Sequence, residues 1–191
     1  MMEIYIIRHG ETDGNKKNQL QGRRNILLNE KGRAQAKEAR EKLKDISFDV
    51  VYSSPLDRAK ETAQIVTNQS CPILFDDRLL EMDYGPYEGV DLSHPPKEII
   101  EFFQDFTHNK APEGMEQLSS VVQRSRDFLN SLVHGHHDQT ILLSTHAIVM
   151  KGLLEVLISE SKGSFWSKYI GNCAIYHTTW NGHEFINTKE L

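Results

Sequence analysis

Arg8, His9 and Gly10 stand together where the apolar run Tyr5-Ile6-Ile7 stops, and that trio has the chemistry to hold and attack a phosphate. Arg8 offers a planar fork of donors suited to phosphate oxygens. His9 carries an imidazole that is neutral and nucleophilic near pH 7. Gly10 lets the backbone turn sharply and lets a ligand approach with no Cβ in the way. A second histidine, His146, follows a second apolar run, Ile141-Leu142-Leu143, and a second arginine, Arg58, lies just beyond Ser53-Ser54-Pro55. Phosphoryl transfer needs donors around three equatorial oxygens and an in-line nucleophile, and two arginines with two histidines supply both without a metal. Glu81, an acid among Leu79, Leu80 and Met82, can supply the proton for the leaving oxygen. Taken singly, Arg-His-Gly also reads as a solvated strand end and Glu81 as a surface acid.

These residues converge only if particular elements carry them. The run ending at Ile7 reads as a buried strand, and open α/β sheets hold ligands in the crevice beyond the carboxyl ends of parallel strands. A polar loop, Glu11 to Asn25, follows and can wrap an anion. Asn29 caps an amphipathic helix running to about Lys44, Phe48–Ser53 forms a second strand, and Leu56 to about Thr67 a second long helix that starts close to Arg58. A short strand lies near Pro72–Phe75. From Tyr84 to His137 the strand–helix alternation breaks down among prolines, glycines and five aromatic residues, and this segment reads as a cap with helices near Pro96–Phe106 and from Met115 to about Val133. Gln139–Ser144 is then a strand ending at Thr145-His146-Ala147, followed by a helix to about Ile158 whose free N-terminal N–H groups would face an anion. Strands near Cys173–Trp180 and Glu184–Thr188, joined at Asn181-Gly182, form an antiparallel edge pair. The fold class is α/β: a three-layer αβα sandwich with a mainly parallel sheet, an antiparallel edge and an inserted helical cap of about 84–137 within a single domain, 1–191.

Composition narrows the partners. With 191 residues the chain can bury one substantial core. Its 22 Lys and Arg against 27 Asp and Glu leave a net charge of −5, the wrong sign for general binding to nucleic acid or an anionic membrane. A small phosphorylated substrate is the expected partner. No apolar stretch is long enough to span a membrane and the N-terminus reads as a strand rather than a signal peptide, so the cytoplasm is the default compartment. Cys71 and Cys173 form no disulfide or zinc pattern and read as reduced packing residues. His134-Gly135-His136-His137 reads as a solvated loop rather than a metal patch; no metal and no cofactor is assigned. Lys16, Lys17, Arg23 and Arg24 either greet a second anionic group of the substrate or form a solvated face. Oligomeric state has no signature in these residues.

Five segments, in order, resemble the histidine phosphatase superfamily, the phosphoglycerate mutase-like proteins: Arg8-His9-Gly10-Glu11-Thr12 with Asn15; Gln21-Gly22 with Leu28 and Gly32; Ser53-Ser54-Pro55-Leu56-Asp57-Arg58-Ala59; Leu80-Glu81-Met82-Asp83-Tyr84-Gly85 with Glu88-Gly89; and Ser144-Thr145-His146. Any one alone is a weak signal, and five in one order are a specific one. The chain departs from the pattern at Asn25, where Asp is common, at Leu27, where Pro is frequent, and at Ala147, where Gly is usual. None of these removes a catalytic side chain.

The resemblance implies roles. His9 is the nucleophile that becomes a phosphohistidine, Arg8, Arg58 and His146 hold the phosphoryl oxygens, and Glu81 is the proton donor. Gly10, Thr12, Asn15, Gln21, Gly22 and Ala147 are implied around the substrate phosphate. The activity implied is a metal-independent phosphomonoester hydrolase on the phosphatase branch. Its rivals are phosphoglycerate mutase-type transfer, which must keep water off the phosphohistidine, and a phosphate-binding protein without turnover.

Overall fold

A computed structural model describes residues 1–191 except Thr107 and Ser159. Its elements in chain order are β1 (Met2–Arg8), α1 (Asp13–Lys16), α2 (Glu30–Lys42), β2 (Val50–Ser53), α3 (Asp57–Val66), β3 (Ile73–Phe75), α4 (Lys97–Gln104), α5 (Leu118–Gly135), β4 (Thr140–Thr145), α6 (Ala147–Leu157), β5 (Ile175–Trp180) and β6 (Phe185–Glu190). The strands form one sheet in the order β3-β2-β4-β1-β5-β6. Pairing is parallel among β3, β2, β4 and β1, and antiparallel from β1 to β5 and β5 to β6. The expected α/β architecture with an antiparallel edge is the one observed.

Alternation along the strands divides the core in two, because successive side chains leave a strand on opposite faces. Ile4, Ile6, Ile141 and Leu143 face one apolar cluster with Phe128, Leu129 and Leu132 of α5 and Val149, Met150 and Leu153 of α6. Ile7, Val51, Leu142 and Ile175 face the other, with Ala39 of α2 and Ala63 and Val66 of α3. Burying both faces is what a parallel sheet requires, and each fully buried Ile or Leu contributes about 1.5–3 kcal/mol of transfer free energy.

Register does the rest. In the β1–β4 pair Arg8 lies opposite Thr145, so the next residue on each strand, His9 and His146, emerge side by side.

The segment between Glu81 and β4 divides into two parts. Residues before Leu118 pack against the loop after β1, with Leu20 N–H donating to Val90 O at 2.8 Å and Gly89 N–H to Leu20 O at 2.8 Å; their aromatics are packing residues, Phe102 being buried beside Phe103 and Phe106. The α5 helix, by contrast, belongs to the sandwich and contributes its apolar face to the core shared with α6.

Two local expectations need correction. The stretch Glu11–Asn25 is not all loop, because Thr12 and Asn15 form a reciprocal capping box that starts the one-turn α1. His134 and Gly135 end α5 instead of lying in a solvated loop, and His136 bonds the Tyr52 hydroxyl at 3.0 Å and Gln139 Oε1 at 2.6 Å. Both cysteines are free, as expected. Among the described residues no helix is long and apolar enough to cross a membrane.

Candidate active site

Arg8, His9, Arg58, Glu81 and His146 are all buried, and the fold brings them to the carboxyl ends of the central parallel strands. The rings of His9 and His146 stand 5.1 Å apart, centroid to centroid.

The hydrogen bonds fix the tautomer of each histidine. His9 Nδ1 lies 2.7 Å from Gly10 O, a carbonyl that can only accept, so Nδ1 carries the proton and Nε2 the lone pair. Among the described residues no protein group hydrogen-bonds that Nε2. Arg58 Nε donates to His146 Nδ1 at 3.2 Å; an arginine N–H can only donate, so the His146 proton is on Nε2, 2.8 Å from Ser54 Oγ. Burial, reinforced by Arg58 and Arg8 beside His9 and by Arg58 beside His146, holds both imidazoles well below the usual histidine range. Both are therefore neutral at pH 7.

Arg58 is clasped by backbone. Its Nη2 donates to Gly22 O at 2.6 Å and its Nη1 to Arg24 O at 2.8 Å. The Gly22, Arg23 and Arg24 N–H groups converge on the Glu88 carboxylate at 2.8, 3.1 and 3.4 Å. Burial lowers Arg58 to about 10, still leaving it a cation at neutral pH.

Arg8 donates through Nη1 to Ile170 O. Its Nε, together with Gln21 Nε2, is a buried donor without a partner among the described residues. Unpaired buried donors cost about 1–3 kcal/mol each and call for an acceptor, here an anion. Gln21 is oriented by its other end, where Oε1 accepts from Thr12 Oγ1 at 2.7 Å.

Glu81 is buried, and burial raises its carboxyl above the ordinary glutamate range. It accepts from Met82 N–H at 2.8 Å and from Ile148 N–H at 3.2 Å. The expectation that α6 turns a free N-terminus to an anion is thus corrected in part, because the Ile148 N–H already serves Glu81. Ala147 opens that helix.

Other residues of the expected phosphate set act on the frame. A Cβ on Gly10 would run into the Gly32 carbonyl, so backbone packing against α2 by itself requires glycine there. Gly10 N–H donates to Thr62 Oγ1 at 3.1 Å. Thr12 and Asn15 satisfy each other, and Asn172 Nδ2 ties Asn15 Oδ1 to His9 O at 3.3 and 3.1 Å. Asn25, where the family pattern has Asp, caps α3 by accepting from Asp57 N–H at 2.8 Å.

Sequence reasoning had no role for Ser54, Glu88 or Asn172. Ser54 and Glu88 sit inside recognised motifs, which was a usable signal, whereas Asn172 has none. Among the described residues no group of three or more His, Cys, Asp or Glu is placed to hold a metal ion.

Comparison with known proteins gives the family and the fold. The family model of the histidine phosphatase superfamily (branch 1) matches residues 4–189. Phosphoserine phosphatase 1 of Hydrogenobacter thermophilus is 30% identical over 171 residues, covering 87% of this chain and 81% of that protein. Phosphoglycerate mutase-like protein 4 of Arabidopsis thaliana is 34% identical over 160 residues, 80% of this chain and 70% of that one. Among solved structures, a mycobacterial glucosyl-3-phosphoglycerate phosphatase complexed with VO3 superposes with a TM-score of 0.87 at 25% identity, covering 98% of this chain and 97% of that one.

Proposed function

The chain belongs to the histidine phosphatase superfamily, and we propose that it is a phosphomonoester hydrolase that works through a phosphohistidine on His9 and needs no metal ion. The observation that carries this reading is the His9 imidazole, whose Nδ1–H is committed to Gly10 O and whose Nε2 lone pair is left among Arg8, Arg58 and His146.

In the first step Nε2 attacks phosphorus, the N–P bond forms and the ester P–O bond breaks. Glu81, whose carboxyl burial pushes above the ordinary glutamate range, passes its proton to the leaving oxygen. The Gly10 carbonyl steadies the charge that the phosphorylated imidazole acquires. Arg8, Arg58 and the Nε2–H of His146, shifting from Ser54 Oγ, meet the equatorial oxygens, where charge concentrates in the transition state. In the second step water attacks, the N–P bond breaks and Glu81 carboxylate takes the water's proton. The three cationic or N–H groups supply the stabilisation that a divalent ion provides elsewhere.

The substrate is a small phosphomonoester, in keeping with the phosphoserine, phosphoglycerate and glucosyl-3-phosphoglycerate named for the relatives. Residues 1–191 act as one domain built on one sheet, with the segment of about 84–137 inserted between the acid motif and β4.

The same site serves a mutase, and the relatives include a mutase-like protein. Release of inorganic phosphate from an aryl phosphate and from 3-phosphoglycerate, measured alongside 2-/3-phosphoglycerate interconversion in chelator, separates the readings. Phosphate release that outpaces interconversion is expected. Interconversion with little phosphate released gives the mutase, and no turnover at all gives a binding protein.

A further inference from the structure

Lys151 is a half-buried cation that the reaction just described does not use. It lies on α6 one turn beyond Ile148, whose N–H holds Glu81. Side chains on a helix lean back toward its N-terminus, over the preceding turn, so Lys151 leans toward the end of α6 where Glu81 and His146 stand. Its Nζ donates to Trp166 O at 2.8 Å and sits 5.6 Å from the centre of the Phe106 ring. An ammonium has three donors, and among the described residues no carboxylate lies within ion-pair distance of this one.

The charged groups that act on it are the Glu81 carboxyl and the Arg8 guanidinium. Arg8 is held by the carbonyl of Ile170, in the same short segment as Trp166, and among the described residues it too forms no ion pair. Lys151 and Arg8 are thus two partly or wholly desolvated positive charges within reach of the proton donor Glu81, where the leaving group must sit.

The other candidates for receiving a second anion are worse placed. Arg23 is committed to Glu81 O at 2.9 Å and lies 3.6 Å from Glu116, while Lys16, Lys17 and Arg24 are exposed.

We propose that Lys151 is a specificity-determining residue that receives an anionic group, a carboxylate, carried by the alcohol of the substrate, so that the enzyme prefers phosphate esters of hydroxy acids. This rests on the phosphatase reading. Desolvation lowers Lys151 to about 8, so it remains mostly an ammonium at neutral pH and gains from an anion that replaces lost water.

O-phosphoserine and O-phosphoethanolamine differ only in a carboxylate and make the test. Wild type should turn over phosphoserine with the higher kcat/KM. Lys151→Met, which keeps the stem and removes the charge, should reduce the phosphoserine-to-phosphoethanolamine ratio about 10- to 100-fold, mainly through KM, and Lys151→Arg should restore most of it. A wild-type ratio near one, or a Lys151→Met variant that keeps the wild-type ratio because both substrates fall together, overturns the proposal and leaves Lys151 as an anchor for Trp166. Should wild type turn over neither ester nor an aryl phosphate, the phosphatase reading has failed. Calorimetric affinities of the two esters for His9→Ala, with and without Lys151→Met, then decide the carboxylate question separately, by the same ratio.

Discussion

Arg58 Nε donates to His146 Nδ1 at 3.2 Å, and this single contact sets the protonation of the second histidine. Because the guanidinium cannot accept, His146 must present its proton on Nε2, the form in which it can donate to a phosphoryl oxygen. The same guanidinium holds the loop carbonyls of Gly22 and Arg24, so one side chain orients both a donor and a wall of the site.

Arg58→Ala should lower kcat/KM about 100- to 1000-fold, the usual loss when a transition-state donor is removed. It should also destabilise the fold by about 2 kcal/mol, since three acceptors, two of them buried, lose their partner, which lowers Tm by about 4–8 °C for a chain of this size. Arg58→Lys should recover little activity, because an ammonium cannot span all three acceptors. Steady-state kinetics and thermal unfolding check both. Full activity in Arg58→Lys removes the fork from the account.

Two titrations should shape the pH profile. Burial holds His9 below the usual histidine range, so the nucleophile becomes available as pH rises through a value below 6.5. Burial raises Glu81 above 4.5, so the proton donor is lost as pH rises through that higher value. The product is a bell with its maximum on the acid side of neutrality. Glu81→Gln should flatten the alkaline limb and slow alkyl esters about 100-fold or more, with a smaller loss for aryl phosphates. Equal losses for both classes would remove Glu81 as proton donor.

Glu88 gathers three consecutive loop N–H groups while the carbonyls of the same loop face Arg58. Glu88→Gln should weaken this clasp and reduce kcat/KM about tenfold, with no change in the pH profile because Glu88 takes no part in proton transfer. An unchanged rate would show that the loop holds its shape without the carboxylate.

The sequence made β1 and β4 legible because each is an apolar run that stops at a histidine, and the order of the five motifs made the family legible. What it could not show is that Arg8 pairs with Thr145 across the sheet, since register depends on contacts distant in the chain. The short α1 escaped notice because four polar residues have no periodicity, and α5 ran past Val133 because a His-Gly pair reads as a stop. Asn172 acts through a loop-to-loop contact and Lys151 reaches from α6 to the loop carrying Trp166, and neither leaves a local trace, whereas Glu88 lies inside a recognised motif.

Trapping the intermediate tests the account most directly. The protein is mixed with a phosphomonoester labelled on phosphorus, quenched in alkali within the first turnover, digested and mapped. Label on the peptide containing His9, as an acid-labile phosphohistidine, and no label in His9→Ala is the predicted result. Label on an aspartate or glutamate, or undiminished phosphate release by His9→Ala, would contradict it.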